Sequence, residues 1–199
     1  MITTVIFDLG GVLLRTEDRE PRTRLAKRLG MTYEELESRV YGSREAMRGE
    51  ISAETHKMAV MESLGLPDDA VEEFGDDFWG GDRMDEKLVA FICGLRGDYT
   101  TALLSNAWDD LRPLLVGYWK IADAFDRIFI SAEMGVSKPD PEIYQAVAAE
   151  LQKDPAEMVF VDDFIENVIA ARDQGWQAVH FRSREGALAE LAEYLDNEI

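Results

Sequence analysis

Hydrophobic and polar positions change rhythm twice along this chain. The run TVIF, Thr4 to Phe7, is β-branched and aromatic, ends at Asp8 and is broken by Gly10 and Gly11. It predicts a short buried strand with an acid at its carboxyl end. Similar runs recur after about residue 88: Thr100 to Leu104 (TTALL), Arg127 to Ile130 (RIFI), Met158 to Val161 (MVFV) and Gln177 to Phe181 (QAVHF). Helical spacing separates or follows them at Tyr144 to Leu151, Ile165 to Asp173 and Ala187 to Leu195. Short apolar strands alternating with helices predict an α/β fold, a Rossmann-like three-layer core with a parallel sheet between helices.

Between Arg15 and Asp85 no strand pattern is found, and polar helices are predicted instead at Arg22 to Leu29, Thr32 to Val40, Ser52 to Leu64 and Asp68 to Phe78. Thr32 and Glu35 have the spacing of a capping box. Gly65 and Pro67 punctuate the segment, and Gly80 with Gly81 marks a hinge back toward the sheet. The expected organisation is a core made of residues 1–15 and 83–199, with residues 16–82 as a small all-helical cap inserted after the first strand.

Composition narrows the function classes. A chain of 199 residues, 46% hydrophobic and 31% charged, suits one soluble globular domain with a modest insertion. It has no apolar run near the roughly 20 residues a spanning helix needs, and MITTVIFDL has no basic leader, so no membrane association and a cytoplasmic location are expected. The single cysteine, Cys93, lies in the apolar run LVAFIC and is expected to be buried and inert. Twenty-one basic residues against 40 acidic ones, a net charge of −19, exclude nucleic acid as a partner, because phosphate neutralisation needs clustered Lys and Arg. The same field repels anionic substrates at long range, so local groups must overcome it at any phosphate site.

In open parallel sheets, ligands sit outside the carboxyl ends of the strands. Asp8, Ser105 and the pair Asp162 and Asp163 each follow an apolar strand, so one sheet brings them to one edge. Asp8 is a nucleophile, a metal ligand or an Asx-turn former. Adjacent carboxylates after a buried strand are costly unless paired or metal-bound, and their hard oxygens favour Mg²⁺, although either acid would also serve as a helix cap. Ser105 and Asn106 are turn residues or donors to phosphoryl oxygens. Lys138, ahead of Pro139, is a surface lysine or a held counter-charge for the carboxylates.

In order and spacing, VIFDLGGVLL (Val5 to Leu14), TALLSN (Thr101 to Asn106), Lys138 in GVSKPDP and MVFVDDFIENV (Met158 to Val168) resemble the four motifs of the haloacid dehalogenase (HAD) superfamily. The wording looks most like the branch with a small helical cap, which includes sugar phosphate phosphatases and the N-terminal phosphatase domain of soluble epoxide hydrolases. This resemblance implies a Mg²⁺-dependent phosphatase acting on a small phosphate ester through an aspartyl-phosphate. Asp8 would be the nucleophile, Ser105 and Asn106 would bind the phosphoryl group, and Lys138 would neutralise developing charge. The metal would be held by Asp8, the Gly10 carbonyl and Asp163, helped by Asp162.

One departure matters. The phosphatase pattern is Asp-x-Asp, its second aspartate serving as general acid and base, and here that position is Gly10. Such help contributes about 10²- to 10⁴-fold, or about 3 to 5 kcal/mol. Glu17 or Asp18 would have to fold back to replace it. Two other readings follow: a weakened relative that binds a phosphorylated ligand or a partner, and a 2-haloacid dehalogenase, against which the paired acids argue. Arg15, Arg44 and Arg48 are candidate contacts for distal substrate groups, with Arg15 the foremost. Asn167 and His56 are expected on solvated helix surfaces, and Trp79 and Trp108 are expected to pack. Gly117 to Phe129 (GYWKIADAFDRIF) is aromatic enough for a partner surface or a buried connection, so a monomer or a homodimer is expected.

Overall fold

The computed structural model describes residues 1–195. Its strands are β1 (Thr4–Phe7), β2 (Leu14–Thr16), β3 (Asp82–Met84), β4 (Thr100–Ser105), β5 (Arg127–Ile130), β6 (Met158–Asp162) and β7 (Gln177–His180). Five of them form one sheet in the order β5-β4-β1-β6-β7, with every neighbouring pair parallel. Phe7 at the end of β1 is level with Leu103 on one side and Val161 on the other. The residues that follow therefore emerge together at one edge of the sheet.

Side-chain alternation along the strands divides the core in two. Val5, Phe7, Leu103, Val159 and Val161 face one way, against α6 (Glu86–Leu95) and α11 (Arg184–Ala192). Ile6, Leu104 and Phe160 face the other way, against α9 (Pro141–Leu151) and α10 (Ile165–Asp173). The expected three-layer α/β architecture is the one observed. Helix α9 starts three residues before the sequence pattern predicted, because Pro141 has the fixed φ that suits a first helical turn.

The segment between β2 and β3 is helical: α1 (Glu20–Arg28), α2 (Tyr33–Tyr41), α3 (Arg44–Met47), α4 (Ala53–Ser63) and α5 (Val71–Trp79). It has its own core around Leu25, Leu36, Met61, Phe74 and Phe78. The predicted capping box forms, Glu35 N donating to Thr32 Oγ1 at 3.1 Å and Thr32 N to Glu35 Oε2 at 2.7 Å. The β2–β3 ribbon, pairing Leu14 with Met84 and Thr16 with Asp82, was not predicted. Three residues per strand are too few to show alternation. The boundaries expected at 15/16 and 82/83 fall inside this ribbon.

Cys93 and His56 break the expected pattern of burial. Leu88, Ile92 and Leu95 take the core side of α6, which turns Cys93 outward, and its thiol is exposed. His56 is buried, its Nε2 2.7 Å from the Val40 carbonyl and its ring 4.8 Å from that of Trp108. Trp108, in the loop after β4, belongs to the core of the helical insert. In the 117–129 stretch, Tyr118 is exposed while Ile121 and Phe125 are buried. No helix among the described residues is long and apolar enough to cross a membrane.

Polar contacts also hold the insert against the sheet. Lys57 Nζ lies 2.5 Å from Asp110, Arg48 lies 2.5 Å from Asp140, and Ala53 N donates to Asp109 at 2.8 Å. At Gly49, with φ +68°, a Cβ would lie 2.1 Å from the Ala132 carbonyl oxygen, so only glycine permits this approach.

Candidate active site

The chain leaves β1 at Asp8, whose carboxylate is buried and held on one side only. Its Oδ1 accepts from Leu9 N at 2.7 Å and lies 2.9 Å from Lys138 Nζ. No hydrogen bond reaches Oδ2 among the described residues. Asp162, last residue of β6, is fully buried and saturated by protein donors. It accepts from Lys138 Nζ at 2.7 Å, from Phe164 N at 2.8 Å and from Asn167 Nδ2 at 3.0 and 3.1 Å.

Asp163 differs from its neighbour: its Oδ1 is buried without a hydrogen-bond partner among the described residues. Oxygens of Asp8, Asp162 and Asp163 lie within 4.8 Å of one another. A Cβ on Gly11, whose φ is +74°, would lie 2.0 Å from Asp163 Oδ2, so a glycine is required there for Asp163 to approach. By contrast, a Cβ on Gly10 would meet nothing within 4 Å.

The loops after β4 and β5 complete the edge. Ser105 ends β4, and its hydroxyl takes part in no hydrogen bond among the described residues. Asn106 uses its side chain on the Lys138 backbone, accepting from Lys138 N and donating to Lys138 O, both at 2.8 Å. This two-pronged clasp carries Lys138 Nζ to its position between Asp8 and Asp162, where it also donates to the Leu104 carbonyl at 3.0 Å. The amide expected to hold phosphate thus positions the lysine.

Burial drives the electrostatics. It pushes the Asp8 carboxyl up to about 7, against the pull of Lys138 and with a further push from Asp162. Asp163 rises to about 6, again through burial and then through the charge of Asp162. For Lys138, burial opposes the charge, but Asp8 and Asp162 outweigh it and hold the ammonium above its usual value. Three carboxylates against one ammonium leave an anionic excess in a desolvated site, which a divalent cation would cancel. An all-oxygen donor set with an orphaned Asp163 oxygen fits a hard cation such as Mg²⁺.

Other predicted residues lie elsewhere. Arg15 donates to the Val12 carbonyl at 2.7 Å and to Asp85 at 2.8 Å, and its side chain is thereby held at the ribbon. Arg48 and Arg44 approach Asp140. Glu17 pairs with Arg15 at 3.6 Å, and Asp18 accepts from Glu20 N at 2.9 Å, so both carboxylates are engaged within their own part of the chain. Asn167, expected to be solvated, is buried on Asp162 because α10 starts beside that carboxylate.

Sequence reasoning missed two residues. His180 Nε2 lies 3.0 Å from the Asp163 carbonyl, and Ser131 Oγ accepts from Ala107 N at 3.0 Å. His180 closes β7 at the same sheet edge, a signal that strand position alone carried. Nothing in the sequence around Ser131 pointed to its role.

The chain resembles known proteins over most of its length. The chain is 29% identical over 196 residues to a sesquiterpene phosphatase of Aspergillus oryzae, covering 94% of this chain and 93% of that protein. It is 26% identical over 204 residues to a D-ribitol-5-phosphate phosphatase of Bacteroides thetaiotaomicron, covering 94% of each. It superimposes with a TM-score of 0.76 and 25% identity on a HAD family enzyme of Bacteroides thetaiotaomicron solved with magnesium and inorganic phosphate, covering 92% of this chain and 96% of that one. Residues 2–175 match the model of the haloacid dehalogenase-like hydrolases, and the chain belongs to that family.

Proposed function

We propose that this protein is a Mg²⁺-dependent phosphatase that hydrolyses small phosphate monoesters through an aspartyl-phosphate on Asp8. The observation that carries the reading is the asymmetry of Asp8: Oδ1 is anchored by Leu9 N and Lys138, and Oδ2 accepts no hydrogen bond among the described residues. Oδ2 attacks phosphorus, the bond from phosphorus to the alcohol oxygen breaks, and the departing oxygen takes a proton from solvent, because Gly10 offers none. Water then attacks the phosphorus of the aspartyl-phosphate, releasing inorganic phosphate and restoring the carboxylate.

Lys138 offsets the charge that grows as two anions meet, and Ser105 donates its hydroxyl to a phosphoryl oxygen. Asp163, Asp8 and the Gly10 carbonyl would hold Mg²⁺, while Asp162 acts from behind by fixing Lys138 and Asn167. The ion supplies electrostatic cancellation between carboxylate and phosphate. The helical insert serves as a cap that excludes water.

A second reading, a binder with little turnover, draws on Gly10, beside which a side chain would find open space and none is supplied. Hydrolysis of p-nitrophenyl phosphate, whose good leaving group needs little acid help, separates the two. Turnover that requires Mg²⁺ and vanishes in Asp8→Asn supports the phosphatase; turnover no greater than that of the variant supports the binder and overturns the proposal.

A further inference from the structure

The helical insert contains a cavity of about 200 Å³, lined mainly by Val60, Met61, Phe74, Trp79 and Trp108, with Lys57 at its wall. The Trp79 and Trp108 rings meet edge to face with centroids 6.3 Å apart. The Trp79 indole donates to the Tyr41 hydroxyl at 3.0 Å, whereas Trp108 Nε1 is buried with no acceptor among the described residues. The cavity walls are otherwise apolar. A polyol placed there would lose its water and find few partners, at a cost for each unpaired hydroxyl.

Chain connectivity ties this cavity to the candidate active site. Trp108 follows Asn106 by two residues, which spans at most about 7 Å of backbone. Asn106 clasps the Lys138 backbone, and Lys138 Nζ lies 2.9 Å from Asp8. One wall of the cavity is therefore set by the same loop that sets the position of the lysine.

We propose that this cavity receives the apolar part of the alcohol, so that the preferred substrates are phosphate monoesters of hydrophobic alcohols. The proposal rests on the phosphatase reading. An apolar cavity of about 150 Å³ suffices to hold benzene. The larger volume here matches an aliphatic chain of about six carbons or a single ring with a short arm. The two phosphatase relatives, named for a sesquiterpene and for D-ribitol 5-phosphate, differ on this point, and the wall chemistry of this chain favours the apolar alcohol.

The test is a homologous series of methyl, butyl and hexyl phosphate, with D-ribitol 5-phosphate alongside, assayed with Mg²⁺. Burial of each methylene is expected to raise kcat/KM about three- to fourfold. In Gly75→Leu the new Cβ sits in ordinary contact, 3.5 Å from the Trp79 ring, and the side chain fills the cavity. The ratio of hexyl to methyl kcat/KM is expected to fall at least about tenfold there. Turnover with no dependence on chain length, or a preference for the ribitol ester, overturns the cavity proposal and leaves the phosphatase reading intact.

Absence of turnover with p-nitrophenyl phosphate as well as with the alkyl esters overturns the phosphatase reading instead, whereas turnover of p-nitrophenyl phosphate alone leaves it intact. Binding of hexylphosphonate and methylphosphonate, followed by tryptophan fluorescence, then decides the cavity. Tighter binding of the longer chain that Gly75→Leu abolishes supports it, and equal binding of both overturns it.

Discussion

Lys138 Nζ stands 2.9 Å from Asp8 Oδ1, with Asp162 at 2.7 Å on its other side, so one buried ammonium serves two carboxylates. Removing one partner of such a buried arrangement costs about 3 to 5 kcal/mol, because the charges left behind stay desolvated. Lys138→Met is therefore expected to lower the melting temperature of the metal-free protein at pH 8 by about 10 °C. Turnover should drop about 10²-fold or more. Lys138→Arg should restore neither, since a planar guanidinium does not fit a point charge held between two acids. Calorimetry and p-nitrophenyl phosphate kinetics check both outcomes.

Asp8 couples stability to pH. Its carboxyl is raised from 3.8 to about 7 in the folded protein, chiefly by burial. Between pH 4 and 7 the native state keeps a proton that the unfolded chain has lost, so metal-free stability falls as pH rises through that window and levels off above it. Asp8→Asn removes this loss. At pH 8 the variant should be more stable than the parent by a few kcal/mol, with the difference shrinking toward pH 4. Thermal melts in EDTA across pH 4 to 8 test this, and a parent whose stability rises with pH relative to the variant would contradict it.

Gly11 and Gly10 should behave oppositely. Gly11→Ala drives a methyl group to 2.0 Å from Asp163 Oδ2 and is expected to weaken Mg²⁺ binding about tenfold or more in a calorimetric titration. Gly10→Ala, with nothing within 4 Å of the added carbon, should leave that affinity near the parent value. Gly10→Asp supplies the acid absent from the first motif. It should raise turnover of esters with poor leaving groups about 10²-fold, and that of p-nitrophenyl phosphate much less.

Two ion pairs latch the insert to the sheet, Lys57 with Asp110 and Arg48 with Asp140. Pairs this exposed contribute about 0.2 to 1 kcal/mol each. The double variant Lys57→Ala, Arg48→Ala should raise KM about two- to tenfold while shifting the melting temperature by only a few degrees. Added salt also screens the repulsion between the acidic chain and an anionic substrate, so the readout is relative: the KM of the parent should shift upward against that of the double variant, in which the screened ion pairs are already gone. Steady-state kinetics at two ionic strengths reads this out.

Short β-branched runs and the acids behind them are local features, and local features are what a sequence displays. Val5 to Asp8 and Val159 to Asp163 announced buried strands with carboxylates at their ends, and a parallel sheet has one edge for all of them. Thr32 and Glu35 announced their own capping box. The helical composition of the insert, the family resemblance and the convergence of Asp8, Ser105, Lys138, Asp162 and Asp163 were legible in the same way.

Features that depend on what a side chain meets across the fold were decided only by tertiary structure. Asp162 and Asp163 are chemically identical in sequence; packing places Lys138 and Asn167 on the first and leaves an oxygen of the second without a partner. Asn106 reads as a phosphate contact until the Lys138 loop arrives beside it. His56 and Cys93 exchange their expected environments because the rotation of α4 and α6 is set by the surfaces they cover, which no local window contains. The β2–β3 ribbon exists because two three-residue segments 66 to 70 positions apart meet, and such short segments gain their hydrogen bonds only after the chain between them has folded.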